Sequence, residues 1–285
     1  MRSDGWHITD DVHDFLDHAG DFLRSRPDLH TVPLTVTEGL RTRGADAYGP
    51  RAPVFGFLER GGEVRGAFFR TPPRHPFLTP LTAADADTLA AHLARLGHRL
   101  SGVRADHDTA TAFADAWTRR TGATSRLHER ERLYRLAHLT PPDPLPAGRS
   151  RIAGPEDREQ LARWHDEFMT AVGEIATSPG TTWADTRIAQ GGVTLWESPD
   201  GTPVAMAGTT PMIAGQVRVA PVYTPEPFRG RGYAGAATAE VSRAALAAGA
   251  EQVLLFTDLA NATSNALYQR LGYRPVTDFA VYDFS

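Results

Sequence analysis

The 285-residue chain contains neither lysine nor cysteine. Without cysteine there is no disulfide framework, no thiolate-held zinc or iron–sulfur site and no thiol nucleophile. Without lysine there is no Schiff base, no anchor for pyridoxal phosphate and no P-loop or kinase lysine. All 30 basic side chains are arginine, so a phosphate site has only arginine, backbone N–H groups and hydroxyls to draw on. No apolar run approaches the roughly 18 residues of a membrane span. The opening Met1-Arg-Ser-Asp-Gly-Trp6 lacks the apolar stretch of a secretory leader, and a soluble, cytoplasmic protein is expected. A basic excess is missing too. The net charge is −4, with 20 Arg against 19 acidic residues in 1–150 and 10 against 15 in 151–285. Neither half is built to bind nucleic acid. Histidines of the first half, among them His7, His13, His18, His75, His92, His98 and His107, are scattered without ligand spacing, so no metal is expected.

What is present suits two cores. Hydrophobic residues make up 41% and charged residues 22%, and the length fits two domains of about 140 residues each. Four prolines and a glycine crowd Leu139-Thr-Pro-Pro-Asp-Pro-Leu-Pro-Ala-Gly-Arg-Ser150. Such a stretch holds neither a helix nor an inner strand. The expected division is therefore 1–138, a proline-rich linker over 139–150, and 151–285. In the last part, periodicity and breakers predict a helix opened by Gly154-Pro-Glu-Asp157 and carrying Leu161, Trp164, Phe168 and Met169, and further helices near 181–190, 234–248 and 263–271. Strands are predicted at 193–197, 203–211, 217–224, 253–257 and 279–284. The order ααβββαβαβ is a mixed α/β plan. The first part repeats it faintly: helical segments within 10–43, a hairpin over 54–69, a strand at 77–81, a helix at 84–96, a strand at 101–105, a helix at 108–120, and a hairpin or paired strands over 126–137. Gly97, Asp106 and Gly122 fall in step with Gly249, Asp258 and Gly272, the mark of a duplicated unit.

Two segments carry chemistry. In Val219-Ala-Pro-Val-Tyr-Thr-Pro-Glu-Pro-Phe-Arg-Gly-Arg-Gly-Tyr-Ala-Gly-Ala236, a strand meets a proline turn, then an Arg/Gly loop that opens an alanine-rich helix. Glycines let a ligand approach the backbone, and N–H groups at a helix N-terminus bind phosphate. The spacing is not that of a dinucleotide fingerprint. The second segment, Leu254 to Val276, runs from a buried strand through Asn261, Ser264 and Tyr268 to Gly272-Tyr273. Taken singly, Asn261 and Ser264 read as helix caps or ligand contacts, and Tyr268 as packing.

Together these segments resemble the GNAT superfamily of CoA-dependent N-acetyltransferases. Arg229-Gly230-Arg231-Gly232-Tyr233-Ala234 is similar to its R/Q-x-x-G-x-G/A phosphate loop. Asn261, Ser264, Tyr268 and Gly272-Tyr273 resemble its later motif. The resemblance implies two GNAT-like α/β domains in tandem, the first degenerate. It also implies that amides of residues 229–234 cradle the pyrophosphate of acetyl-CoA. Backbone groups of Val222, Tyr223 and Thr224 would pair with the pantetheine arm, one of them polarising the thioester carbonyl. Asn261 would bond the pantetheine, Ser264 would reach a phosphate or the adenosine, and Tyr268 would protonate the departing thiolate. The implied reaction is direct attack of an amine, more readily that of a small molecule than of a protein or peptide. A non-catalytic acyl-CoA sensor is the reading from another class. A monomer or a homodimer fits equally.

One departure concerns the base. Relatives often carry a carboxylate on the strand that feeds the loop, and Gln216–Thr224 has none. Glu174 is the first choice in its place, ahead of Glu197 and His165. The first half shows no phosphate loop: Phe77-Leu-Thr-Pro-Leu-Thr-Ala-Ala-Asp-Ala86 stands where it would fall, with an acid and no glycine.

Overall fold

The computed structural model describes residues 4–173 and 179–285. The chain forms two compact units. One runs to Leu133 and takes in Asp258–Ala260 and Val276–Ser285; the other comprises Tyr134–Thr257 and Asn261–Pro275.

The first unit begins with β1 (Gly5–Thr9), α1 (Val12–Ser25) and α2 (Thr31–Arg43). Asp11 caps α1 by accepting from the His13 amide at 2.7 Å. Phe15, Ala19 and Leu23 recur every fourth residue, so one stripe of α1 is buried. The hairpin of β2 (Val54–Arg60) and β3 (Glu63–Arg70) turns through Gly61 and Gly62. Both have positive φ, 60° and 79°, as a two-residue hairpin turn twisted with its strands requires. Then follow β4 (Phe77–Leu78), α3 (Ala83–Arg95), β5 (Gly102–Asp106), α4 (His107–Thr121) and β6 (Ser125–Leu136). The strand order β1-β2-β3-β4-β5 continues into the last strand of the chain, β12 (Tyr273–Phe284). Phe279–Asp283 pairs antiparallel with Asp106–Gly102. Leu58, Leu89, Val103, Phe113 and Ala280 fill the core between this sheet and α3 and α4.

The second unit repeats the element order. It contains β7 (Arg149–Ile152), α5 (Arg158–Ala171), α6 (Gly180–Ala189), β8 (Val193–Glu197), β9 (Pro203–Thr209), β10 (Gln216–Tyr223), α7 (Tyr233–Ala247), β11 (Gln252–Asp258, up to Thr257 here) and α8 (Ala262–Arg270). Its strands lie in the order β11-β10-β9-β8-β7. β10 and β11 are parallel and the other pairs are antiparallel. Two apolar clusters result. Val217, Val219, Ala237, Val253, Tyr268 and Tyr273 pack around α7. Leu161, Trp164, Ala184, Leu195 and Met206 pack around α5 and α6.

Three expectations differ from the structure. Residues 126–137 were expected as a hairpin or paired strands, yet 125–136 is one 12-residue strand. Arg126, His128, Arg130 and Arg132 alternate along it, without a glycine or asparagine to turn on. Two short strands, β1 and β7, precede the α-helical pair of each repeat and were not expected. The proline-rich stretch, expected as a linker between domains, falls within the second unit. The amide of Thr140 donates to Leu271 O at 3.0 Å and that of Ala137 to Gly272 O at 3.1 Å. Any β-carbon on Gly272 would collide with the carbonyl of His138. No described helix is long and apolar enough to cross a membrane.

Candidate active site

The site begins where two parallel strands part. β10 and β11 are paired only from Gln216↔Gln252 to Arg218↔Leu254, although β10 runs on to Tyr223 and β11 to Asp258. On its other side β10 stays joined to β9 as far as Tyr223↔Met206, with an irregularity between Val219 and Val222. The end of β10 thus offers backbone groups along an edge that β11 has left. Val222 packs on the α7 side of the sheet and Tyr223 on the α5/α6 side, as strand alternation requires.

Beyond β10 the prolines force a single 3-10 turn, Glu226–Phe228. Arg229 closes it, its amide donating to Glu226 O at 3.2 Å. Its Nε donates to Thr224 O at 3.0 Å, which fixes the loop to the strand end. Gly230 and Gly232 have φ of 76° and 82°, the left-handed region that glycine occupies without penalty. Gly232 is the N-cap of α7 and brings no side chain to it. The first amides of α7 therefore have no capping group, and the helix dipole points at whatever sits there. Nothing lies within 4 Å of the place a β-carbon on Gly230 would take. Arg231 is exposed and makes no hydrogen bond or ion pair among the described residues. The Thr224 hydroxyl is buried without a partner among them. Open amides, an unengaged guanidinium and a donor hydroxyl suit an anionic phosphate ester. Gly235, one turn into α7, is buried where a side chain would press on Leu267 of α8.

The second motif forms the opposite wall. Asn261 caps α8, its Oδ1 accepting from the Ser264 amide at 3.0 Å, while Asn265 Nδ2 donates to Asn261 O at 2.8 Å. Tyr134 locks the helix in place, donating to Asn265 Oδ1 and accepting from Gln269 Nε2, each at 2.9 Å. Tyr268 is 7% exposed and meets Tyr273 edge-on at 6.1 Å. It has no hydrogen-bond partner among the described residues. Burial pushes its phenol up to about 12, so it carries its proton at any ordinary pH. That is the state a general acid needs.

The base candidates fare differently. Glu174 lies outside the described residues. Glu197 is buried and held by Arg151 and by Arg149, the latter at 3.0 Å. Hydrogen bonds from both guanidiniums hold its carboxyl below the usual range, and Arg151 is shared with Asp157. It is a structural anion. His165 is buried against Trp183 with ring centroids 4.7 Å apart. Burial keeps its imidazole below the ordinary value despite neighbouring Asp166, and it faces α6. The residue that spacing did not single out is Glu167, whose Oε2 accepts from the Tyr223 hydroxyl at 2.7 Å. The two are 56 positions apart, which no local pattern registers.

Residues 158–273 match the acetyltransferase (GNAT) family. No curated protein matches the chain. Among solved structures, a GCN5-related N-acetyltransferase from Sphaerobacter thermophilus aligns with a TM-score of 0.62 at 16% identity, over 99% of this chain and 96% of that one. A GNAT-family acetyltransferase from Colwellia psychrerythraea gives 0.61 at 12%, over 98% and 99%. A tandem GNAT protein from the clavulanic acid biosynthesis pathway gives 0.58 at 15%, over 98% of both chains. These likenesses show the same fold over both units, and the similarity to the acetyltransferase (GNAT) family lies in residues 158–273.

Proposed function

We propose that the second unit transfers an acetyl group from acetyl-CoA to a primary amine of a small molecule, by direct attack with both substrates bound. The observation that carries this reading is the uncapped start of α7 at Gly232, next to unengaged Arg231 and the parting of β10 and β11. Amides from Gly230 to Ala234 receive the pyrophosphate, while the Arg229 amide is already bonded to Glu226 O. Backbone groups of Val222, Tyr223 and Thr224 bond the pantetheine arm as an added strand. One of these amides stabilises negative charge on the acetyl oxygen as the amine attacks. Asn261 and Ser264 bond the pantetheine and a phosphate or the adenosine from the α8 side, and Tyr268 gives its proton to the sulfur. Without cysteine the chain has no thiol to hold the acetyl group in passing. Residues 151–285 carry 15 acidic residues against 10 Arg, which favours a cationic acceptor.

The test is thiol release from acetyl-CoA across a panel of small amines and peptides, with melting temperature followed in parallel. Acetyl-CoA is expected to raise the melting temperature, and one or more small amines to support turnover. A flat panel with a preserved thermal shift identifies a binding protein and removes the enzymatic reading.

A further inference from the structure

β10 carries no carboxylate, so the acceptor amine has no base on the strand beside which it must react. The fold brings one from elsewhere. Trp164 and Glu167 lie three apart on α5, on one helix face. That face meets the end of β10: the Trp164 and Tyr223 rings are 6.2 Å apart, and the Tyr223 hydroxyl donates to Glu167 Oε2 at 2.7 Å. Several other carboxylates of this unit are paired with arginine. Asp157 and Glu197 share Arg151, and Asp185 pairs with Arg158 at 2.5 Å. Glu167 has no cationic partner among the described residues. Its hydrogen-bond partner is a phenol on the residue whose backbone lies at the cleft edge.

We infer that Tyr223 and Glu167 form the proton relay for the acceptor amine, with Tyr223 touching the amine and Glu167 positioned behind it. This rests on the acetyl-transfer reading above. The amine binds first as an ammonium, drawn by the unneutralised carboxylate, and releases one proton to water. As its nitrogen forms the C–N bond, the remaining surplus N–H proton passes to the Tyr223 oxygen. The Tyr223 proton passes to Glu167 in the same movement. The C–S bond breaks with its electron pair on sulfur, and sulfur takes the Tyr268 proton. Glu167 ends as the neutral acid and Tyr268 as the phenolate, and proton exchange through water restores both. Tyr223 stays a phenol throughout, which suits its setting: burial and then the Glu167 carboxylate raise it above its ordinary value. Arg229, from the loop, opposes this shift. On α5, Asp166 pairs with His165 and both face α6 rather than Tyr223.

The experiment compares the unsubstituted protein with Glu167→Gln, Glu167→Asp and Tyr223→Phe on the best amine of the panel. It measures kcat and KM from pH 6 to 10 and the acetyl-CoA thermal shift. Glu167→Gln and Tyr223→Phe are each expected to lower kcat by about 100-fold with the thermal shift kept. Glu167→Asp, which keeps the carboxylate, should restore part of the rate. A Glu167→Gln enzyme with unaltered kcat overturns the relay and leaves acetyl transfer standing. Absence of thiol release from the unsubstituted protein with every amine overturns acetyl transfer itself, and the relay with it.

Discussion

The two units hold the same junctions and finish them differently. In the first, α3 starts at Thr82, whose Oγ1 accepts from the Asp85 amide at 3.1 Å and donates to Asp85 Oδ2 at 2.7 Å. Asp85 is buried and also bound by Arg60. The positive end of that helix thus has a carboxylate of its own, with a guanidinium beside it. In the second unit the matching helix, α7, starts at Gly232 with no capping side chain, and Arg231 is unengaged. The next helices tell the same story. Asp106 caps α4 and Asn261 caps α8. Seven residues past each cap stand Phe113, stacked on Trp117, and Tyr268. A helix N-terminus attracts an anion whatever its source. One unit supplies that anion from its own chain, and the other keeps the place open and adds a phenol nearby.

If this contrast carries the function, making the second unit resemble the first should silence it. Gly232→Glu puts a side chain and a negative charge where φ is 82°. It is expected to abolish the acetyl-CoA thermal shift and raise the KM for acetyl-CoA by on the order of 100-fold or more, about 3 kcal/mol. An unchanged shift breaks the comparison. Tyr268→Phe, which copies Phe113, should lower kcat by about 100-fold with the acetyl-CoA KM kept. Because the Tyr268 phenol stays neutral up to about pH 12, activity should show no alkaline loss from this group below about pH 11. In the other direction, Asp85→Ala removes the internal anion. It should cost about 1–2 kcal/mol in urea unfolding and leave the acetyl-CoA KM untouched. The smallest effects come from the caps. Asp106→Ala and Asn261→Ala should each cost about 1 kcal/mol of stability, and only Asn261→Ala should also weaken acetyl-CoA binding.

Local chemistry was readable in advance and long-range chemistry was not. Helix ends, the Gly61-Gly62 hairpin and the Arg229–Ala234 loop depend on neighbours within a few residues, and their patterns stand in the sequence. The spacing of Gly97, Asp106 and Gly122 against Gly249, Asp258 and Gly272 corresponds to the same elements twice: helix, glycine, strand, helix, glycine. The partner of Tyr223 was hidden, because a phenol on β10 and a carboxylate on α5 meet only through the packing of Trp164. Glu197 looked like any acid at a strand end until Arg149 and Arg151 closed on it across the β7–β8 pair. The proline-rich stretch looked like a spacer, because proline excludes regular structure but not docking. Pro142 and Pro146 approach Gly235 and Gly232, so this segment flanks the loop.

The strand that pairs with β5 in the first unit's sheet is made long after β5 itself. Phe279 lies against Asp106 and Asp283 against Gly102, a separation of more than 170 residues. A ribosome releases the chain from the N-terminus at roughly 5–20 residues per second. The edge of β5 therefore waits ten seconds or more, by that order of magnitude, for its neighbour. An open strand edge is a template for wrong pairing. The first unit is finished only when the second has been synthesised, so the half without the open helix end is the one whose folding waits on the other.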